Sequence, residues 1–535
     1  MNRIKFILLQ LINFFSSNYH IYINFNKSFF CNQNINLNKN YQVALVEMHS
    51  NYPLVFFWSF ICNYLIQEKK IKVVYFYSPL FESYTSNILE KFFLKKIYNS
   101  FNVFRSDILQ GRSFNNNFYY RNIFKKKIKS KIDLLNYRRN NILIGDLIYD
   151  SYLRKYFVPT VFDLKSKNLI NEFAKANILF DKIFIFFKNN PVRYVLASHV
   201  FYWQQGLFYR IGGFFKANLI KVFDTGVGYE NYRLSLLDKK KPLNFPPYYN
   251  YKKIFLNNVK NKNKALNIGK KIIERRLSGK LDSNVGFMKV SSYLKSKNIK
   301  AKNIFNKNNK IKVVLFSHCF FDAPHRFRYM LFNDFYDFVL STINFIIPLD
   351  NFELYIKPHP LGMASNEKYY LNLSKKFKSH KNIFFMKADI LNTDIVNSKP
   401  DLVLTCHGNI AHEMAYQKIP TINAGDNLHI NYSFNLHPKS QKEYFSMILN
   451  YKHFVKKINY QKKNIFEFMF MNSHYFATQN YKNKLVPDKV FFDKFSKNNK
   501  PKDHVDLVLL KKYSSYNKKI YKNISIYVME FLKKL

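Results

Sequence analysis

The chain has 535 residues, of which 47% are hydrophobic and 22% are charged, and its net charge is +51. This composition excludes a disordered protein and leaves room for about two to four domains with apolar cores. The charge alone would suggest a nucleic-acid-binding protein, but the lysines are dispersed among much Asn, Ile, Phe and Tyr, which indicates a biased codon composition.

Residues 1–40 are predicted to form an N-terminal helix or extension. Its start, MNRIKFILLQLINFF, has a basic flank and an apolar run too short to span a bilayer, and no small-residue cleavage site follows. We therefore predict no transmembrane helix. The segment is a candidate membrane-surface anchor, and a basic face is a second candidate for peripheral contact with the anionic inner face of the membrane.

The cysteines give a further indication of location. They number four, and none forms a CxxC pair. This usage favours the reducing cytoplasm and argues against a zinc knuckle.

Residues 41–295 are predicted to form a Rossmann-like domain, because short apolar runs alternate with helical stretches. The predicted strands are Val43–Glu47, Val73–Tyr77, Asn141–Ile144, Tyr194–Ala197 and Leu219–Phe223, and the helices include Phe56–Gln67 and Gly206–Gly213.

A basic, polar stretch at 296–310 is predicted to be a linker, after which the alternation restarts over 311–480. The predicted strands there are Lys312–Phe316, Glu353–Ile356, Asn382–Phe385, Asp401–Thr405 and Thr421–Asn423. A helical segment at 481–535 follows. The sequence thus predicts an α/β fold of GT-B-like architecture, with two Rossmann-like domains that face a cleft and with C-terminal helices.

Two motifs in the second domain carry candidate binding residues for a nucleotide. In YIKPHP, prolines fix the backbone at the end of a strand, so that Lys357 and His359 project into the crevice where ligands bind in such folds. The alternative is a turn with incidental basic residues.

In the second motif, Gly408 permits close backbone approach, Asn409 is a candidate helix cap beside His407, and Glu413 lies one turn into the helix. A phosphate at the helix start and a ribose at Glu413 fit this pattern. A carboxylate that only complements the helix dipole is the alternative.

The loop SHCFFDAPHRFR follows the first strand of the second domain. Its His318, Asp322 and His325 are candidates for contact with the sugar donor, for structural hydrogen bonding, or for a metal site. No Asp-x-Asp motif or second acidic cluster supports a metal, so we predict none.

In the first domain, Glu47 and Asp146 stand where strands are predicted to end. A hydroxyl that attacks a sugar must lose a proton, and a carboxylate within hydrogen-bond reach can accept it. Glu47 and Asp146 are therefore candidate catalytic bases, and strand-end capping is their alternative role. The run Tyr149–Arg154 is a candidate for the acceptor side or for packing between the domains.

Several segments resemble bacterial surface-carbohydrate biosynthesis proteins and, more distantly, capsule polysaccharide transferases that use CMP-Kdo. They are IGDLIYDSYLR (Ile144–Arg154), RRLSGKLD (Arg275–Asp282), LFSHCFFDAPHR (Leu315–Arg326), YIKPHP, and HGNIAHE…IPTINAGDN (His407–Asn427). In such transferases the histidine of the His-Pro motif contacts the donor phosphate, which implies that role for His359. The relatives usually have Ser or Thr where this chain has Cys406–Asn409, so the donor nucleotide stays open.

These observations favour a metal-independent GT-B glycosyltransferase that makes a surface polysaccharide such as capsule or lipopolysaccharide. It would use a nucleotide sugar as co-substrate, no other cofactor, and a glycan or lipid-linked acceptor. The alternatives are a CDP-alcohol phosphotransferase of the teichoic-acid type, a sugar-nucleotide epimerase and a basic nucleic-acid-binding protein. Dispersed lysines give no stripe for nucleic acid, so we expect no such partner.

Overall fold

The computed structural model describes residues 41–48, 52–76, 94–101, 104–105, 117–224, 232–236, 248–279, 291–293, 304–359 and 364–475, with isolated residues within 20–27 and 526–533. The predicted extension at 1–40, the start of the linker at 296–310 and the segment at 481–535 lie almost wholly outside the described residues. Among those that are described, no helix is long and apolar enough to cross a bilayer.

The N-terminal half is built around one largely parallel sheet. Its elements are β1 (Val43–Glu47), α1 (Tyr52–Gln67), β2 (Lys72–Phe76), β3 (Phe104–Arg105), α2 (Asn117–Lys127), α3 (Lys131–Leu135), β4 (Arg138–Arg139), β5 (Ile142–Leu143), α4 (Gly145–Tyr156), α5 (Lys167–Asn189), β6 (Val192–Ala197), α6 (Trp203–Phe214), β7 (Asn218–Asp224), β8 (Tyr232–Leu236), α7 (Tyr251–Asn258) and α8 (Lys262–Leu277). The sheet order is β3-β2-β1-β6-β7-β8, and only β8 is antiparallel to its neighbour.

The strand β1, in the middle of this sheet, is apolar from Val43 to Val46. All five residues of β1 are buried, because helices cover both faces of a parallel sheet and each strand must then be apolar on both sides. The helices α4, α5 and α6 supply most of the remaining core of this half.

The predicted strand Asn141–Ile144 is wrong as a member of this sheet. Its apolar residues belong to a separate antiparallel hairpin of β4 and β5. Asn140 and Asn141 both have positive φ, at 47° and 62°, as a two-residue hairpin turn requires and as Asn tolerates. Asp146 therefore lies in the first turn of a helix rather than at the end of a sheet strand.

The C-terminal half contains a second, wholly parallel sheet. Its elements are β9 (Ile311–Phe316), α9 (Phe335–Ile346), β10 (Phe352–Lys357), α10 (Ala364–Lys376), β11 (Ile383–Phe385), α11 (Asn392–Asn397), β12 (Leu402–Thr405), α12 (Ile410–Tyr416), β13 (Thr421–Asn423), α13 (Gln441–Leu449), α14 (Tyr451–Val455) and α15 (Lys462–Phe470). The order β11-β10-β9-β12-β13 places β9 in the centre. The predicted α/β fold with two Rossmann-like halves is confirmed.

The helices α7 and α8 precede the second sheet but pack against its last helix, α15. Their apolar side chains share one cluster with residues of α15 and with Tyr432 and Phe434. The contact is close, since a Cβ at Gly269 of α8 would lie 1.9 Å from the carbonyl oxygen of Phe466. The predicted domain boundaries stay predictions, but these two helices extend the core of the C-terminal half.

The carboxyl ends of the two sheets face each other. Tyr202, in the loop after β6, has its pKa raised by burial, and the charges of Asp322 and Arg326, in the loop after β9, act on it as well. Phe321 of that second loop is buried in the core of the N-terminal half. The loop after β9 therefore forms much of the contact between the halves.

Candidate active site

Three neighbouring strands of the C-terminal sheet end in polar loops at one edge. These are β10, β9 and β12, and each loop carries predicted site residues. The loops are tied together, because the backbone N–H of Ser317 donates to the carbonyl oxygen of Lys357 at 3.0 Å. Predicted donor residues from two separate motifs thus share one small region.

Lys357, the last residue of β10, is 1% exposed. Its ammonium has no hydrogen-bond partner among the described residues. Burial lowers the pKa of Lys357 from 10.5 to about 8, and only the charge of Asp389 opposes this effect. A buried cation without a hydrogen-bond partner is unfavourable unless an acceptor or an anion pairs with it.

Two neutral histidines, His318 and His359, lie in the loops after β9 and β10. The pKa of His359 is lowered by burial, and the charges of Arg326 and Lys357 lower it further while Asp322 opposes them. The pKa of His318 is lowered well below its usual value by burial and then by His407, Arg326 and His359. These mutual effects show that residues from all three loops lie within electrostatic range of one another.

The tautomer of His318 is set by its surroundings. Its Nε2 accepts the backbone N–H of His407 at 3.1 Å, so in the neutral ring the proton is on Nδ1. The ring stacks on Phe335 with centroids 4.4 Å apart. His318 is therefore a rigidly held hydrogen-bond donor.

The loop after β12 is packed into the protein. Both ring nitrogens of His407 lie near carbonyl oxygens, Nδ1 at 2.7 Å from that of Asp426 and Nε2 at 3.1 Å from that of Pro324. Burial lowers the pKa of His407 to about 3. A Cβ at Gly408 would lie 2.6 Å from Oγ1 of Thr405, which explains why a glycine stands there.

The side-chain contacts of Asn409 and Glu413 differ from those that the sequence predicts. Asn409 precedes α12, but its side chain makes no capping hydrogen bond, and the helix has seven residues. The carboxylate of Glu413 is 3% exposed and accepts hydrogen bonds from Nε of Arg276 and, at 2.6 Å, from the hydroxyl of Tyr293. Its protein partners come from segments that precede the second sheet.

The loop after β9 also contacts helix α4 of the N-terminal half. Nδ1 of His325 lies 2.6 Å from Oδ1 of Asp150, and the backbone N–H of His325 donates to Oδ2 of Asp150 at 3.1 Å. Nearby, the hydroxyl of Tyr149 donates to Oδ2 of Asp334 at 2.5 Å. Asp322 pairs with Arg326 of its own loop at 3.3 Å. Part of the run Tyr149–Arg154 thus packs between the two halves.

Both predicted catalytic bases are engaged by protein donors. The carboxylate of Glu47 is 2% exposed and accepts the backbone N–H of Ser198 at 2.6 Å and the amide of Gln205 at 3.1 Å. Asp146 accepts two hydrogen bonds from Arg210, at 2.5 Å and 2.7 Å. Their catalytic role stays a prediction, and the contacts themselves hold β1, β6 and two helices together.

The sequence prediction missed the partners that join distant segments. Asp150 was only part of a run, yet it binds a histidine 175 positions away. Asp426 was also missed, and it is fully buried while accepting hydrogen bonds from Arg328 and Tyr248. The one available signal was that acidic residues are scarce in a strongly basic chain, with 34 Asp and Glu against 85 Lys and Arg. Among the described residues, no three His, Cys, Asp or Glu side chains are grouped so that they could hold a metal ion.

No family model and no curated protein matches the chain. Among solved structures, it is similar to KpsC of Thermosulfurimonas dismutans, a beta Kdo 2,4 transferase, with 12% identity over 52% of this chain and 79% of that one and a TM-score of 0.31. It is also similar to UDP-GlcNAc 2-epimerase of Neisseria meningitidis, with 11% identity, 85% and 100% coverage and a TM-score of 0.24. A glycosyltransferase of Rickettsia africae gives 10% identity, 83% and 100% coverage and a TM-score of 0.24. At these values the likeness concerns the general fold and carries no conclusion about the reaction.

Proposed function

We propose that the protein is a glycosyltransferase that uses a nucleotide-activated sugar to build a bacterial surface polysaccharide. The observation that carries the proposal is the buried ammonium of Lys357, which has no partner among the described residues. It stands at the carboxyl end of a strand, where open α/β folds bind their ligands.

A nucleotide phosphate fits this position for electrostatic reasons. A phosphate oxygen supplies the negative charge that the ammonium lacks, and the interaction is strong because water is excluded there. His359 lies within electrostatic range of both Lys357 and His318, so the two histidines add neutral hydrogen-bond donors near the cation, and Arg326 adds a second positive charge. In this proposal Lys357, His359 and His318 hold the donor, whereas His407, Gly408 and Asn409 hold the loop.

The two-sided arrangement supports transfer between two substrates. The N-terminal half would bind a glycan or lipid-linked acceptor, and the contact of its helix α4 with the loop after β9 would close the site. Closure excludes water, which would otherwise hydrolyse the donor. A departing nucleotide phosphate would be stabilised by Lys357, because the cation is already in place and needs no reorganisation.

Ligand-induced stabilisation tests the donor site directly. CMP-, CDP-, UDP- and GDP-linked sugars are screened for an increase in melting temperature, since a ligand that binds only the folded state stabilises it. We expect one nucleotide class to raise the melting temperature of the wild type and to have little effect on Lys357→Met. Lys375→Met removes an exposed lysine in the last turn of α10 and is the matched control, which should respond as the wild type does. An equal response from Lys357→Met would contradict the assignment.

The fate of the donor separates transferase from epimerase and phosphotransferase. An epimerase changes the sugar of the nucleotide without any acceptor. A CDP-alcohol phosphotransferase releases CMP and leaves a phosphodiester in the product. A glycosyltransferase releases the nucleotide and forms a glycoside, which nuclear magnetic resonance and mass spectrometry of the products distinguish.

We also propose that the protein works in the cytoplasm at the membrane surface through helix α2, since a lipid-linked acceptor lies there. Phe118 and Tyr119 are 74% and 60% exposed, and exposed Arg121 and Lys125 lie on the same side of the helix as Phe118. The helix contains four basic and no acidic residues. Exposed aromatic rings beside lysines are the chemistry that binds an anionic lipid surface.

Vesicle sedimentation tests this surface. Wild-type protein should bind phosphatidylcholine vesicles that contain phosphatidylserine, and binding should weaken with salt and in the double variant Phe118→Ser/Tyr119→Ser. Lys262→Gln/Lys264→Gln, which removes two exposed lysines of α8, is the charge control and should bind normally. Equal binding by the wild type and the aromatic variant would overturn the proposal.

A further inference from the structure

His325 and Asp150 form a pair that neither half of the molecule contains alone. His325 lies in the loop after β9, and Asp150 lies on α4 of the N-terminal half. The carboxylate of Asp150 is 1% exposed and holds His325 twice, through Nδ1 at 2.6 Å and through the backbone N–H at 3.1 Å. The imidazole is therefore fixed in position by a contact across the interface.

This contact also fixes the tautomer. Because Asp150 accepts a hydrogen bond from Nδ1, the neutral ring carries its proton there and has its lone pair on Nε2. Nε2 is buried and has no hydrogen-bond partner among the described residues. A histidine oriented by a carboxylate, with the opposite nitrogen left for another group, is the arrangement of a general base.

The surroundings of His325 keep it a useful base near neutral pH. Burial alone would lower its pKa, but the charge and hydrogen bond of Asp150 outweigh burial, and Asp146 and Asp334 add to the effect, so the pKa is raised. The edge of the Tyr149 ring packs against the imidazole with centroids 5.4 Å apart. The groups that face His325 are thus three carboxylates from α4 and the start of α9, and one tyrosine.

We propose that His325 is the catalytic base that takes the proton of the acceptor hydroxyl, and that Asp150 is its positioning residue. The proposal rests on the proposed glycosyltransferase function. As the acceptor oxygen bonds to the anomeric carbon, the bond from that carbon to the phosphate oxygen breaks and its electron pair stays on the phosphate. The acceptor's proton passes to the lone pair of Nε2.

The other candidate bases compare unfavourably with His325. Glu47 accepts hydrogen bonds from Ser198 and Gln205, and Asp146 accepts two from Arg210. The oxygens of both carboxylates are thus already occupied by protein donors, whereas a base must offer a lone pair to the acceptor hydroxyl. Nε2 of His325 has no such donor among the described residues.

The rate of sugar transfer, measured as a function of pH, tests the proposal. The donor is the nucleotide sugar that raises the melting temperature in the screen. The acceptors are synthetic alkyl glycosides and, in a second series, water. His325→Gln should bind the donor with an unchanged melting-temperature increase but transfer about 100-fold or more slowly. The rise of kcat/KM with pH, which reports the free base, should disappear. His453→Gln, at an exposed histidine of α14, is the control and should match the wild type.

The variant Asp150→Asn tests whether Asp150 positions His325 or only stabilises the fold. Without the carboxylate the pKa of His325 should fall, so the rising limb of the pH profile should move to lower pH while kcat decreases. Added imidazole should partly restore transfer by His325→Ala, which also controls for misfolding. Unchanged kcat in His325→Gln, or a rising limb that persists there, overturns the proposal and leaves the transferase function standing. If the wild type transfers no sugar from any donor, the proposed function fails, and this role of His325 fails with it.

Discussion

Replacement of Lys357 by methionine should stabilise the free protein while it removes the proposed donor site. Burial places the pKa of Lys357 at about 8 instead of 10.5. Since one pKa unit corresponds to about 1.4 kcal/mol, the buried ammonium costs about 3 kcal/mol at neutral pH. Methionine has a similar length and no charge, so Lys357→Met should increase the free energy of unfolding by about 1–3 kcal/mol at pH 7.

The effect should depend on pH in a defined direction. Between pH 8 and 10.5 the unfolded chain keeps the proton that the folded protein loses. Because the unfolded state then binds more protons, the stability of the wild type rises with pH through this window. The advantage of Lys357→Met should therefore be largest below pH 8 and should shrink towards pH 10.5.

Lys312 is the matched control, since it is a buried lysine on the neighbouring strand that does have a partner. Its ammonium donates to Oε2 of Glu353 at 2.6 Å. Burial alone would raise the pKa of Glu353, but hydrogen bonds from Lys312 and Asn308 lower it to about 2. Lys312→Met would leave that carboxylate without its cation and should destabilise the protein by about 3 kcal/mol.

Equilibrium urea unfolding, followed by circular dichroism at pH 7 and at about pH 9.5, measures both variants. Destabilisation of the protein by Lys357→Met, as by Lys312→Met, would contradict this prediction. That result would mean that the ammonium of Lys357 has a protein partner in solution and is not held for a ligand.

Two further predictions concern packing and charge. Gly269→Ala should lower the melting temperature strongly, because its Cβ would lie 1.9 Å from the rigid carbonyl oxygen of Phe466, whereas Gly212→Ala would meet only side chains at 2.9 Å and should have a smaller effect in the same assay. Glu413→Gln should reduce stability by about 3 kcal/mol at pH 7, because it leaves Arg276 without its anion. Burial alone would raise the pKa of Glu413, but Arg276 and the other partners lower it below 4.5. The stabilisation by the ion pair is therefore complete above pH 4.5 and is lost as the pH falls further. Urea unfolding at pH 7 and at about pH 4 measures this loss. An unchanged stability at pH 7 with a lost donor response would instead support ribose binding by Glu413.

The strands and the loops that follow them were predictable because they depend on local sequence. Strands buried on both faces, such as Val43–Glu47, need continuous apolar runs, and these are visible in a single chain. The same rule failed at Asn141–Ile144, where two residues with positive φ close a hairpin. An apolar run of four residues does not reveal which strand it will pair with.

The roles of the polar residues were less predictable, because they depend on partners distant in sequence. Glu47 and Lys357 both stand at the ends of buried strands, and the sequence predicted a site role for each, as a catalytic base and as a donor-binding residue. Glu47 is bound by Ser198, 151 positions away, whereas Lys357 has no hydrogen-bond partner among the described residues. Nothing in the sequence near either residue distinguishes the two outcomes.

Nζ of Lys357 and Nε2 of His325, which both lack a hydrogen-bond partner among the described residues, are connected by the loop after β9. Ser317 ties the start of that loop to Lys357, and His325 in its middle binds Asp150 of the opposite half. A movement that separates the halves would break the pair of His325 and Asp150 and would disturb the support of Lys357. The base for the acceptor and the cation for the donor phosphate would therefore be assembled together, so that neither acts on its substrate before the cleft has closed.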